Sequence, residues 1–176
     1  MSATWLQLVE GRVQSGCKGP RAAEWLAGLG IPVPAAPNSH ASTPDDLFVA
    51  RLGSSEFFVE QGAPGDSVHR IAAALAASPA GVYPVLREDW AMTLSGAAAE
   101  EMLAQVCNIN FAALDPGARP VIMTLMVGVA VLVVPCLSAA GRSYRIWCDP
   151  TYGPYLRDAL QGVVVECGGT YTGVTA

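Results

Sequence analysis

GPRAAEWLAGLGIPVP at residues 19–34 and GAAAEEMLAQVCNINF at residues 96–111 are two copies of a weak internal repeat. They are identical at five aligned positions: Gly19/Gly96, Ala22/Ala99, Glu24/Glu101, Leu26/Leu103 and Ala27/Ala104. We interpret each copy as a short helix near the beginning of one half of the chain.

The same order of elements follows each copy. In the first half, strand patterns at residues 47–52 and 56–60 precede a helical pattern at 66–77. In the second half, strand patterns at 121–126, 129–134 and 144–148 precede a helical pattern at 150–166. Leading strands are predicted at 6–14 and 89–94, and in the second of these Trp90, Met92 and Leu94 share the face that packs on the helices. Each half therefore predicts the order strand, helix, strand, strand, helix.

This order predicts an α+β fold of antiparallel sheets backed by helices, in which the two halves exchange or pair strands. We expect a single compact domain over residues 1–176, with pseudo-repeats at about 4–80 and 81–167. Asp66 and Asp149 are predicted N-caps, and Pro150 suits a first helical turn. The proline-rich residues 32–44 are predicted to be a surface loop.

Composition points to a protein that works with a partner. Of 176 residues, 52% are apolar and only 14% are charged, so we expect a partner to cover some apolar surface. The net charge is −5 and the ten basic residues are scattered, which excludes a nucleic-acid role. The apolar run at 121–134 is too short to span a bilayer and is rich in valine, so it predicts buried sheet. No secretory signal is visible, and we expect a cytoplasmic protein.

No pattern in the sequence predicts a metal centre or a reactive thiol. His40 and His69 have no metal ligands at recognised spacings. The cysteines are odd in number and none forms a CxxC pair, so we expect buried free thiols at Cys17, Cys107, Cys136, Cys148 and Cys167.

Catalytic motifs are also missing. The sequence has no GxSxG elbow, and residues 16–21 lack the spacing of a phosphate-binding loop. Adjacent acids at 88–89 and 100–101 have structural explanations, since neighbours on a strand face opposite sides and acids favour a helix N-terminus. We therefore predict no catalytic, cofactor-binding or metal-binding residue in this chain.

Aromatic residues near the end of the second half are the best candidates for recognition. Such residues dominate protein interfaces, although a core strand leading into a capped helix explains the same segment equally well. The predicted partner contact consists of Trp90, Arg145, Trp147, Tyr152, Tyr155 and Arg157.

Several of these segments resemble one family. REDWAMTLSGAAAEEMLAQVCNINF at 87–111 and GRSYRIWCDPTYGPYLRDAL at 141–160 resemble the gamma subunit of heterotetrameric sarcosine oxidase. CKGPRAAEWLAGLGIPVPAAPN at 17–38 and LGSSEFFVE at 52–60 resemble the opening of that subunit and, more distantly, the folate-binding aminomethyltransferase of the glycine cleavage system. The segments are short, and their order along the chain carries the resemblance.

The resemblance implies a non-catalytic structural subunit of a complex that oxidatively demethylates sarcosine or a related N-methyl amino acid. It implies that FAD, FMN, NAD and tetrahydrofolate are held by partner subunits, and that the partners are the alpha, beta and small delta chains, mainly alpha. No functional residue carries over: no carboxylate matches the one that assists tetrahydrofolate in the transferases, and neither His40 nor His69 matches the flavin-linked histidine of the beta chain. The alternatives are a small stand-alone tetrahydrofolate-binding or aminomethyltransferase-like protein and an unrelated interaction module.

Overall fold

The computed structural model describes residues 4–62, 65–139 and 141–175 and has the predicted α+β class. The described helices are α1 (Ala22–Gly28), α2 (Ser67–Ala76), α3 (Ala99–Val106) and α4 (Gly153–Glu166). The described strands are β1 (Trp5–Val9), β2 (Val13–Lys18), β3 (Ser39–Ser42), β4 (Leu47–Leu52), β5 (Glu56–Gln61), β6 (Tyr83–Val85), β7 (Trp90–Ser95), β8 (Ile122–Met126), β9 (Val129–Ser138), β10 (Gly141–Cys148) and β11 (Thr170–Thr175). Short 3-10 helices lie at Phe111–Ala113, Pro116–Ala118 and Pro150–Tyr152. Among the described helices, none has the length and hydropathy of a membrane-spanning segment.

Residues 11–88 form one compact unit. Its five-stranded sheet has the order β3-β4-β5-β2-β6, and all its neighbouring strands are antiparallel. One side of the sheet shares an apolar core with α1 and α2, built around Leu26, Phe57, Val59 and Ile71. Burial of these side chains holds the helices on the sheet.

The second unit combines the chain up to Glu10 with the chain from Asp89 onward. Its six-stranded sheet has the order β11-β1-β7-β10-β9-β8, antiparallel except for the parallel pair of β1 and β11. Met92 and Leu94 of β7 are buried in a core with Leu103 of α3 and Leu160 of α4, and Trp90 packs against it. The predicted helix-facing side of this strand is confirmed.

The two halves exchange their first strands. β1 precedes β2 in the chain but pairs with β7, whereas β6 precedes β7 but pairs with β2. The predicted exchange is therefore observed, and the predicted leading strand at 6–14 is corrected to two strands that belong to different sheets. Gly11 lies between them at φ +73, a conformation that glycine adopts without steric cost. The compact units consequently begin at 11 and 89, and their union into a single domain stays a prediction.

Two strand boundaries differ from the predicted ones because prolines lie where no ladder bond is lost. β3 occupies part of the predicted proline-rich loop, between Pro37 and Pro44. β9 continues through Pro135, whose missing N–H would face the β8 side. Because β8 pairs with β9 only as far as Val133, the proline breaks no bond between them. The sequence also did not predict β6 or β11.

The start of α2 is stabilised by a residue other than the predicted one. Asp66 occupies the N-cap position but makes no side-chain cap hydrogen bond. Instead, the backbone N–H of Ser67 donates to Oε1 of the fully buried Gln61 over 2.9 Å. Gln61 Nε2 in turn donates to the carbonyl oxygen of Asp45 over 3.2 Å. A buried amide thus ties the helix to the strand before it.

A buried carboxylate organises the first unit. Glu60 is fully buried; its Oε1 accepts from Arg12 Nε over 2.6 Å and its Oε2 from Gln14 Nε2 over 3.0 Å. Arg12 Nη1 also contacts Asp46 Oδ2 at 2.6 Å. A carboxylate without solvent depends on such partners, since removing one leaves an uncompensated buried charge.

We expect Arg12→Met to destabilise the protein by about 3 kcal/mol because it strands the Glu60 carboxylate. Urea unfolding followed by circular dichroism measures the change. The matched control is Arg21→Met, because Arg21 and its ion-pair partner Glu24 are both mostly exposed and should contribute little. Equal unfolding midpoints for the two variants would show that the buried pair has no special role.

Candidate functional site

The chain turns sharply between β10 and α4, and this turn sets the position of the predicted contact residues. Asp149 Oδ1 accepts from the backbone N–H of Thr151 over 2.8 Å, as its predicted capping role requires. Hydrogen bonds from Thr151 lower the pKa of Asp149, so the cap stays ionised. The 3-10 turn that follows begins with the predicted Pro150. Tyr152 and Tyr155 emerge from it 53% and 57% exposed.

Trp90 lies under the first residue of α4. A Cβ atom added to the buried Gly153 would lie 2.4 Å from Trp90 Cδ2. Gly153 has φ −51, an ordinary helical value, so space and not backbone conformation requires glycine here. Trp90 is half-buried, and its Nε1 has no hydrogen-bond partner among the described residues. The buried part of the Trp90 side chain therefore packs against the start of α4.

Tyr155 connects the start of α4 to the hairpin between β8 and β9. Its hydroxyl donates to the backbone carbonyl of Val127 over 3.3 Å. Slightly further along α4, Arg157 Nη2 lies 2.7 Å from Asp158 Oδ1 and forms an ion pair with it. Tyr152, Tyr155 and Arg157 thus share the first turns of one helix and are open to solvent or partly so.

Arg145 and Trp147 lie apart from this group, on β10. Trp147 is only 1% exposed, so the prediction that it contacts a partner is wrong for its side chain. The Arg145 guanidinium lies 4.7 Å from the centroid of the Trp147 ring, a cation–π geometry that holds the arginine over the indole. The alternative interpretation of this segment, a core strand leading into a capped helix, holds for Trp147.

The sequence did not single out the exposed apolar residues of β8. The predicted buried sheet at 121–134 is correct for Val131 and Val133, but Met123 and Leu125 are 53% and 61% exposed. Both lie at the edge of their sheet, a position that depends on strand order and not on hydropathy.

A polar cluster around Tyr144 lies in the unit that contains β7 to β11. The Tyr144 hydroxyl donates to Glu100 Oε1 over 2.9 Å, and Arg142 Nη1 lies 3.2 Å from the same oxygen. Burial, followed by the Glu100 hydrogen bond, raises the pKa of Tyr144 to about 12. Arg142 also donates to the Ala112 carbonyl. The cluster therefore ties β10 to α3 and to the chain that follows it.

The thiols are all free, and three of the five are buried. Burial, with a smaller effect of Glu56, raises the pKa of Cys17 to about 11. Burial, with smaller effects of Asp89 and Asp149, raises the pKa of Cys148 to about 11. Cys136 and Cys167 are only partly buried, which differs from the predicted burial. The thiols of Cys17 and Cys148 are therefore neutral at physiological pH and are poor nucleophiles.

Metal ligands do not converge in the part of the chain that the structure describes. His69 is exposed on α2. His40 packs on Phe48, with 5.3 Å between the ring centroids.

The first unit has a groove of about 560 Å³, large enough to be considered for a folate. Its walls are mainly apolar side chains, including Leu75, Val85 and Leu86. Two of its polar side chains are already engaged, since Gln14 bonds Glu60 and Arg87 Nη2 pairs with Glu56 at 2.5 Å. A pterin ring needs acceptors for its N–H and amino groups, and this mainly apolar groove offers few.

The fold matches solved structures, although no protein-family model and no curated protein matches the sequence. A chain of the heterotetrameric sarcosine oxidase from Corynebacterium sp. U-96, in complex with pyrrole 2-carboxylate, has a TM-score of 0.74 at 22% identity, over 96% of this chain and 87% of that chain. The glycine cleavage system aminomethyltransferase T from Bartonella henselae has a TM-score of 0.67 at 16% identity, over 98% of this chain and 48% of that chain. The chain thus spans about half the length of the transferase. The predicted resemblance is confirmed for the fold.

We expect Gly153→Ala to destabilise the protein by roughly 1–3 kcal/mol, because the added methyl group overlaps the Trp90 ring. The matched control is Gly162→Ala in the same helix, where nothing lies within 4 Å of the new Cβ. That change should stabilise the protein by about 0.5–1 kcal/mol through helix propensity. Thermal unfolding of both variants checks the pair, and a shift of the same sign in both would contradict the packing at Gly153.

Proposed function

We propose that the chain is a non-catalytic, gamma-type subunit of a sarcosine oxidase-like complex that demethylates sarcosine or a related N-methyl amino acid. One observation carries the proposal. The match to the sarcosine oxidase chain extends over 87% of that chain, whereas the match to the aminomethyltransferase extends over only 48% of the enzyme. The fold therefore corresponds to most of one chain in a heterotetramer and to only part of a transferase.

The fold similarity to the aminomethyltransferase favours a second candidate, a small tetrahydrofolate-binding protein. The chemistry of the groove in residues 11–88 weighs against it, because no carboxylate lies among the described residues of its walls, and two of its polar side chains, Gln14 and Arg87, are already bonded to Glu60 and Glu56. In our proposal FAD, FMN, NAD and tetrahydrofolate are held by the alpha and beta subunits of a cytoplasmic complex that also contains a delta chain.

The contact with the alpha subunit is proposed to include Tyr152, Tyr155 and Arg157 together with the exposed part of Trp90, and Arg145 on β10 of the same unit is proposed as a separate contribution. Both tyrosines present more than half of their surface from a rigid turn. Tyrosine loses little conformational entropy on binding, and tyrosine and arginine carry much of the energy at interfaces. The short Asp149–Thr151 cap keeps the turn ordered before a partner arrives.

We expect the tagged full-length chain, purified from its native host, to bring with it larger chains that carry flavin absorbance and oxidise sarcosine. The same chain expressed alone should give no heat of binding with tetrahydrofolate in calorimetry. Micromolar folate binding by the isolated chain, with no oxidase subunit recovered, would establish the second candidate instead.

Replacing Tyr152 and Tyr155 together by alanine should weaken assembly at least about tenfold, since central interface residues typically contribute about 2 kcal/mol. The fold should persist, because both side chains are mostly exposed. Biolayer interferometry against the purified partner measures affinity, and circular dichroism measures folding. Tyr83→Ala is the control, with the same 57% exposure as Tyr155 but on the other unit. Loss of the fold in the double variant would place the tyrosines in the core.

A further inference from the structure

Strand β8 forms one edge of the six-stranded sheet, and it differs from the other three edge strands of the described sheets. β3 has four residues and no large apolar side chain, and β6 has three residues with Pro84 at its centre. β11 pairs with β1 through a register shift between Gln7 and Leu8. Short length, proline and bulges are the devices by which natural proteins prevent pairing at an edge.

β8 has none of these devices, and only its C-terminal end is covered: Cys107 bridges Met126, and the backbone N–H of Val127 donates to the Val106 carbonyl over 2.9 Å, so the edge stays open around Met123. Its five residues, IMTLM, carry no charge and no proline, and they pair with β9 without a register shift. Met123 and Leu125 project from one face and are mostly exposed, whereas Met126 is buried and Ile122 packs on the core. An edge of this kind in a folded protein is a template for another strand.

The register shows which backbone groups face outward. β8 and β9 are joined by a two-residue turn, Val127-Gly128, with φ values of +44 and +85. In such a hairpin the flanking Met126–Val129 pair exchanges hydrogen bonds, and bonded and non-bonded pairs then alternate along the ladder. Thr124 accordingly bonds to β9, while the N–H and C=O of Met123 point toward the open edge.

Charge distinguishes between the possible occupants of this edge. The unit that contains β8 has four arginines, no lysine and eight acidic residues, a formal charge of −4. A second copy would bring the same negative charge against it, which is unfavourable. The chain between Arg119 and Arg142 has no charge at all, so the strand that pairs there must be uncharged where it faces Met123 and Leu125.

We infer that the edge of β8 takes up an extended, uncharged strand of a larger partner subunit whose surrounding surface is basic. This inference rests on the proposed function and identifies where the partner pairs. Tyr155 bonds to Val127 at the turn of the same hairpin, so the contact on the first turns of α4 lies in the same unit as the open edge at Met123. A short edge alone is small for a stable interface, and the contact on α4 supplies more area.

The test compares variants of the full chain in capture of the purified oxidase partner. Met123→Lys adds a charge to the edge, and Met123→Pro removes its outward N–H without removing a bond to β9. Each should weaken capture at least tenfold. Leu86→Lys is the control, because Leu86 is 84% exposed on the other unit, and it should leave capture unchanged. Circular dichroism of each isolated variant verifies that it folds.

Amide hydrogen exchange of the wild-type chain gives a second measurement that needs no variant. On binding, the Met123 amide should become protected, while the Thr124 amide should be protected with or without the partner. If the partner is captured but Met123 stays unprotected, or if both Met123 variants bind normally, the inference fails and the proposed function stands. If the wild-type chain captures no oxidase subunit, both fail.

Discussion

The exchange of leading strands is the constraint on which the rest of the structure depends. β1 completes the sheet that contains β7, and β6 extends the sheet that contains β2, so neither half of the repeat contains all the strands of its own sheet. Gly11 makes this connection possible because it allows the chain to leave one sheet and enter the other within three residues. The internal repeat is therefore visible in the sequence at boundaries that differ from those of the compact units.

Elements with strong local signals could be predicted from the sequence, and those that depend on strand order could not. The α+β class, the strand at 47–52 and the Asp149 cap followed from alternation and capping chemistry. β6 has only three residues and a proline, so its place in a sheet comes from pairing with Gly16–Lys18 and not from propensity. The capping role of Gln61 could not be predicted either, because a glutamine that reaches a helix from the preceding strand leaves no characteristic spacing in the sequence.

At the candidate site, too, local features could be predicted from the sequence and features that depend on strand order could not. An aromatic cluster could be recognised from the sequence, but the burial of Trp147 and the exposure of Tyr152 depend on which face of β10 is covered and on where the chain turns. Met123 was missed for the complementary reason: an apolar strand looks the same in the middle of a sheet and at its edge. The low content of charge, 14%, was the only sequence signal that some apolar surface stays uncovered in the isolated chain.

The buried pair of Arg12 and Glu60 and the hydrogen bond from Tyr144 to Glu100 stabilise the fold, while Met123 lies at an open strand edge in the same unit as the two exposed tyrosines. The most direct measurement is a cryo-electron microscopy structure of the particle that the chain forms with the proposed oxidase partner. We expect an extended strand of the partner hydrogen-bonded to the backbone of Met123, and folate and flavin density in other subunits. Folate density within this chain, or a β8 edge open to solvent in the assembled particle, would contradict the account.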